Sequence, residues 1–164
     1  MEIIGLDLHK RETLVSGGDA DISNGIALSV DLAGDKSGPV GFRAKRHSGV
    51  IDVERLGQYD PRDFWEPLEA RRGRLVLDPG QFYIFASKEP VLIPADEAAE
   101  MAPIRPELGE FRAHYAGFFD PGFGDSSGGG EGSRAVLEVR SHEVPFILED
   151  GQIIGRLVYE PLTE

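Results

Sequence analysis

A mainly β fold is what this sequence predicts, and three features carry the prediction. Short apolar runs alternate with period two, most clearly where Ile26, Leu28, Val30 and Leu32 interleave with Ala27, Ser29 and Asp31. The 21 glycines and 11 prolines among 164 residues cut the chain into short pieces, which suits strands and tight turns better than long helices. Asp-Pro-Gly occurs twice, at Asp78 and Asp120. There proline fixes φ, and glycine accepts the positive φ of a type II turn. With 40% hydrophobic residues, a chain of this length can bury the core of one domain.

Taken in order, residues 1–16 read as a linker and lead-in strand, with the apolar pairs Ile3-Ile4 and Leu14-Val15 separated by charge. The domain proper is expected over 17–164. Gly17-Gly18-Asp19 is a turn, and the strand from Gly25 to Leu32 follows. Gly34 to Gly38 breaks the chain, Val40 to Ala44 restarts it, and Val50 to Val53 reads as a further strand. Asp60-Pro61-Arg62-Asp63 has the chemistry of a helix start: an Asp cap, proline at the first position and an acid in the first turn. A short helix or 3₁₀ turn is expected to carry Phe64, Trp65 and Leu68, limited by Pro67. Leu75–Leu77 and Gln81–Ala86 flank Asp78-Pro79-Gly80 as strand, turn and strand, and Val91–Ile93 adds a short strand. Ala95 to Met101 has the best helical composition in the chain. Val144–Leu148 and Gln152–Tyr159 bracket the turn Glu149-Asp150-Gly151, which predicts a hairpin.

The net charge of −12 argues against a nucleic-acid-binding surface, since neutralising phosphates requires clustered Lys and Arg. A nucleotide would need a local basic cluster or a divalent cation. Lys45-Arg46-His47 is the natural cluster of that kind, although a solvated turn between strands reads equally well. The absence of cysteine leaves the chain without disulfides, thiolate metal sites or the Pro-Cys-x-x-Cys motif of zinc nucleobase deaminases. His9, His47, His114 and His142 are widely spaced and show no ligand pairing, so no protein-bound metal is expected. No run reaches membrane-spanning length and no secretory leader is evident, which predicts a cytoplasmic protein with no membrane partner.

The stretch from Phe111 to Arg140 carries the candidate chemistry. An apolar run leads to the Asp120-Pro121-Gly122 turn, a glycine-rich excursion follows, and a second run has Glu138 in its middle. Alternation puts Ala135, Leu137 and Val139 on one face and Arg134, Val136, Glu138 and Arg140 on the other. Glu138 can be a general base, but spacing alone favours an exposed strand acid balanced by Arg140. The Ser126–Ser133 stretch, SSGGGEGS, lacks apolar side chains and cannot pack. It is not a phosphate loop of the P-loop type, because no Lys-Ser or Lys-Thr follows.

The segments HYAGFFDPGFG, AVLEVRS and GQIIGRLVYEPL, with LVLDPGQFYIFASKEPVLIP upstream, resemble the dCTP deaminase and dUTPase superfamily. The whole chain, including DFWEPL at Asp63–Leu68, resembles the C-terminal half of double-length bacterial dCTP deaminases. The resemblance implies a dUTPase-like β-clip, a distorted β-barrel with one or two short helices. It implies conversion of dCTP and water to dUTP and ammonia without zinc, with magnesium on the triphosphate of the substrate. Carried over by residue, it makes Glu138 the base that activates water. Asp120, Val136 and Leu137 then line the base and sugar. It also implies a homo-oligomer, a trimer, and a partner N-terminal half.

Two departures from the family pattern stand out. The family's Arg-Ser-Ser-x-x-x-Arg run corresponds here to Met101-Ala102-Pro103-Ile104-Arg105-Pro106-Glu107, in which Arg105 can partly substitute but the serine is gone. The family's C-terminal tail, which closes over the triphosphate, is also missing from this sequence. In double-length relatives the other half carries the Ser-Ser-x-x-x-Arg run, and sites form between domains. The rival readings are therefore a non-catalytic half that trimerises and completes a partner's site, or a dUTP diphosphatase.

Overall fold

The computed structural model describes residues 6–7, 12–13, 25–34, 38–102, 111–113, 118–125, 132–141 and 144–163. The chain runs β1 (Leu6–Asp7), β2 (Glu12–Thr13), β3 (Ile26–Ser29), β4 (Gly41–Ala44), a 3₁₀ turn (Pro61–Asp63), β5 (Trp65–Leu68), β6 (Arg74–Leu77), β7 (Phe82–Val91) and β8 (Glu97–Ala102). It continues through β9 (Phe111–Ala113), β10 (Phe118–Phe119), β11 (Ser133–Ser141), β12 (Phe146–Glu149) and β13 (Ile153–Pro161). Two sheets form the body, with strand orders β5-β4-β7-β11-β9 and β10-β8-β13-β3, and all their pairings are antiparallel. The two-stranded sheets β12-β6 and β1-β2 complete the described architecture.

The core lies where the inward residues of these sheets meet. Leu28 from β3 with Val30 and Leu32 just after it, Tyr83 and Phe85 from β7, Leu137 and Val139 from β11, and Ile154 and Leu157 from β13 are all buried. The expected alternation along β11 holds, since Ala135, Leu137 and Val139 face inward while Val136 is 53% exposed. β4 fits against β7 only because residue 41 is glycine: a Cβ there would lie 2.4 Å from the Phe85 ring and 2.6 Å from the Ile84 carbonyl.

Five sequence expectations are corrected. Ala95–Met101 is no helix, because Glu97–Ala102 forms β8, hydrogen-bonded between β13 and β10, with Glu97, Ala99 and Met101 turned inward. Helix propensity is a weak prior, and ladder bonds on both sides with burial of alternate residues outweigh it. The helix start at Asp60 is real, with the Asp60 side chain accepting from Arg62 N and Pro61 in the first turn, but it lasts three residues. Trp65–Leu68 then pairs with β4 as an edge strand, a place where Pro67 needs no ladder partner on its outer side.

Residues 50–53 form no strand. Val50 and Val53 are 94% and 80% exposed in a loop closed by Asp52 N donating to Tyr59 Oη at 2.7 Å. The predicted hairpin at Glu149–Gly151 is a corner instead. The turn forms, with Gln152 N donating to Glu149 O at 3.0 Å, but β12 pairs with β6 while β13 pairs with β3 and β8. The Asp78 turn behaves likewise, since β6 leaves for β12 and β7 joins β4 and β11. Val91 ends β7, and Leu92 and Ile93 make no strand of their own.

Candidate functional site

The site begins with the turn at Asp120. Phe123 N donates to Asp120 O at 3.0 Å and Gly122 has φ of 82°, the geometry expected of Asp-Pro-Gly. The turn docks on the segment after β7: Ile93 N donates to Phe123 O at 2.9 Å and Gly122 N donates to Ile93 O at 3.0 Å. Contact is close enough to require glycine at 124, where φ is 78° and a Cβ would lie 2.3 Å from the Val91 carbonyl. Phe119 and Phe123 meet edge to face at 5.0 Å and tie the turn to the core. Phe118, Phe119 and Phe123 are therefore unlike one another: Phe119 is 6% exposed and Phe118 is 76% exposed.

Beside this turn runs the start of β11. Phe118, Phe119, Asp120 and Phe123 from the turn side, with Arg134 and Val136 from β11, line an open cleft of about 250 Å³. Two of the predicted residues, Asp120 and Val136, thus come together. The Leu137 side chain is buried at 3% in the core, so any part it takes in lining the cleft is through its backbone. Arg105 lies outside the described residues, as do residues 17–24, His9, His114, His142 and residues 126–131 of the glycine-rich stretch.

Glu138 lies two residues beyond Val136 on the same face, roughly 7 Å along the strand, and is not among the side chains lining the cleft. It is half-buried, and on the β7 side its ladder neighbours are the apolar Ile84 and, one strand further, Phe42. Among the described residues it has no ion-pair partner. Arg140, the expected counter-charge, instead places its guanidinium 5.2 Å from the centre of the Phe82 ring.

Arg134 is the residue the sequence reading passed over. Its Nε donates to the Ser87 carbonyl at 2.6 Å and one Nη donates to Asp31 Oδ2 at 2.5 Å. Ser87 is fully buried, donates through Oγ to the Glu89 carbonyl at 2.6 Å, and accepts from Ala135 N at 2.9 Å. Alternation placed Arg134 on the Glu138 face, but nothing local in the sequence brings Asp31 and Ser87 to it.

The basic cluster is a separate feature. Arg43, Ala44, Lys45, Arg46, Glu66 and Gln81 line a cleft of about 410 Å³ that shares no residue with the Asp120 cleft. Arg43 is committed to Glu66 at 2.7 Å and Asp78 at 3.3 Å, and Lys45 Nζ to the Arg62 carbonyl at 2.6 Å. Among the described residues no three His, Asp or Glu side chains gather to hold a metal, and no helix is long and apolar enough to cross a membrane.

Over residues 4–164 the sequence matches the family described as the 2'-deoxycytidine 5'-triphosphate deaminase (DCD), C-terminal domain. The chain belongs to that family. The crystal structure of 2'-deoxycytidine 5'-triphosphate deaminase from Agrobacterium tumefaciens is similar at 59% sequence identity and a TM-score of 0.81, covering 94% of this chain and 47% of that one. The chain thus spans about half the length of that deaminase. No curated protein sequence matches. The near-complete strand architecture and the likeness to the deaminase identify the fold as the dUTPase-like β-clip.

Proposed function

We propose that this domain works in the hydrolytic deamination of dCTP to dUTP and ammonia, a hydrolase reaction at the C–N bond of a cyclic amidine, with Glu138 as the base. Water adds through oxygen to C4 of cytosine while Glu138 accepts its proton. The C4=N3 electron pair moves to N3 as water adds; the carboxyl then returns its proton to the exocyclic nitrogen, the C4–N bond breaks and ammonia leaves, and the remaining hydroxyl proton passes to N3 as the C4 carbonyl forms. No zinc is used, and magnesium enters only on the triphosphate, as part of the substrate. The observation that carries this reading is Glu138 itself: a half-buried carboxylate on the cleft face of β11, without a cation partner among the described residues. A carboxylate left free of ion pairs keeps its oxygens available to accept a proton from water.

Asp120, Val136 and the Leu137 backbone hold the base and sugar, and Arg105 is assigned to the phosphates. The chain's match to about half of the Agrobacterium deaminase favours a site completed by a second domain. That site belongs to a cytoplasmic trimer that pairs this half with an N-terminal one. The test is Glu138→Gln in the assembled protein, assayed with dCTP and with dUTP, each with and without EDTA. Gln keeps the shape and cannot take the proton, so loss of cytosine absorbance slows by ~10²–10⁴ with nucleotide binding retained. Near-normal turnover by the variant would return Glu138 to the role of a surface acid. Pyrophosphate release from dUTP would identify a diphosphatase instead.

A further inference from the structure

We infer that Arg134 is a nucleotide-binding residue of the Asp120 cleft and takes the anionic, phosphate-bearing end of the ligand. The inference rests on the reading of that cleft as a nucleotide site and adds how the ligand lies in it. Arg134 is the one cation among the described residues lining the cleft. In a chain of net charge −12, a phosphate is repelled by the overall field and is held only where a local cation is already in place.

That preparation is visible in the bonds behind the side chain. A guanidinium has five N–H donors, and here Nε–H is spent on the Ser87 carbonyl and one Nη–H on Asp31. Both anchors are themselves fixed. Ser87 is buried and bonded twice through Oγ, and Asp31 Oδ1 accepts from Ala33 N at 3.1 Å and Gly34 N at 3.2 Å. The remaining donors belong to a side chain that is 44% exposed and lines the cleft. Pre-ordering removes much of the rotamer entropy that an arginine otherwise loses on binding, and the planar fork suits a phosphate. On the turn side of the cleft, the exposed Phe118 ring and Phe123 offer rings for a pyrimidine, and Asp120 accepts from a sugar hydroxyl. The nucleoside end therefore lies toward the turn and the phosphate end toward Arg134.

The experiment measures binding of dCTP, dCMP and deoxycytidine by calorimetry to the chain assembled with its partner half, unmodified and as Arg134→Gln, Arg134→Lys and Asp31→Asn. Arg134→Gln weakens dCTP and dCMP at least tenfold and leaves deoxycytidine within twofold. Arg134→Lys, which keeps the charge, and Asp31→Asn, which loosens the anchor, fall between it and the unmodified chain. A purely structural arginine would weaken all three ligands alike or none, and either pattern overturns the inference. Should Arg134→Gln not fold, the Lys and Asn variants decide by the same contrast between dCMP and deoxycytidine. Failure of the unmodified chain, assembled with its partner half, to bind any of the three overturns the nucleotide reading of the cleft as well. Normal binding by the chain with equal binding by all variants overturns only the role of Arg134.

Discussion

Replacing Asp150 tests the corner that joins β12 to β13. Oδ1 accepts from Leu32 N at 2.9 Å and Ala33 N at 3.1 Å, while Oδ2 holds Lys88 Nζ at 2.6 Å. In Asp150→Ala, water can replace the bond to exposed Ala33, but Leu32 is only 2% exposed, so its N–H carries the loss. A buried donor left unsatisfied costs about 1–3 kcal/mol. The Lys88 pair, with side chains 38% and 27% exposed, adds little, roughly 0–1 kcal/mol after screening. The variant is therefore expected to lose about 2–3 kcal/mol, a fall in Tm of roughly 4–12 °C for a chain of this size. Asp150→Asn keeps an acceptor for Leu32 and should lose about 1 kcal/mol or less.

The pH dependence has a definite sign. The Lys88 hydrogen bond, with the Leu32 and Ala33 N–H groups behind it, holds the Asp150 carboxyl below its ordinary value of 3.8. A carboxyl with a depressed folded-state pKa stabilises fully above its unfolded value and loses that contribution as pH falls through the folded one. The gap between the unmodified chain and Asp150→Ala should be flat at neutral pH and narrow below the unfolded value of 3.8. Urea unfolding followed by fluorescence of Trp65, the single tryptophan, measures it. A gap under about 0.5 kcal/mol at neutral pH, the range of an ordinary surface change, or one that widens on acidification, refutes the account.

Two further outcomes follow from the turn. Gly124→Ala meets the Val91 carbonyl at 2.3 Å with φ at 78°, and should lose roughly 2–4 kcal/mol from overpacking and left-handed strain; a Tm within a degree of the parent would show that the turn is free to shift. Shortening residues 126–131, with Gly132 and Ser133 retained because Gly132 packs on Val91, should change stability by about 0.6 kcal/mol or less, since closure entropy varies slowly with loop length. A large drop in Tm would mean that the stretch is packed.

Local chemistry was legible in this sequence, and the choice of partner was not. The type II turn at Asp120, the cap at Asp60 and the facing of β11 all depend on neighbours within a few residues, and all three are present. The turns at Asp78 and Asp150 were equally readable, yet both are corners between sheets, because the strand that each arm pairs with lies far away in the chain. The same reason explains β8: the partners that outweigh its helical composition are β10 and β13, and no window around Ala95–Met101 contains them. Among site residues, Asp120 and Val136 could be placed by motif and alternation. Arg134 could not, since its meaning depends on Asp31 and Ser87, 103 and 47 residues away.

What brings those distant groups together is an irregularity in the ladder. Arg134 is opposite Pro90 and Val136 is opposite Ala86, so a single residue of β11, Ala135, faces three of β7, Ser87 to Glu89. The extra length of β7 is taken up inward: Ser87 Oγ accepts from Ala135 N in place of a carbonyl, and the Ser87 carbonyl is left to receive Arg134. Glu89 closes the far side by accepting from Ser29 N at 2.8 Å and Ser29 Oγ at 2.5 Å, which fastens the bulge to β3. A regular ladder would draw β7 back by two residues, about 7 Å along the strand. Face and burial would survive that shift, because two residues preserve the alternation. The Val91 carbonyl and the Ile93 amide would not stay opposite Gly124 and Phe123, and the Asp120 turn would lose the surface on which it docks. The cleft therefore exists because β7 is two residues too long for its partner, and one residue that absorbs the excess, Ser87, also anchors Arg134.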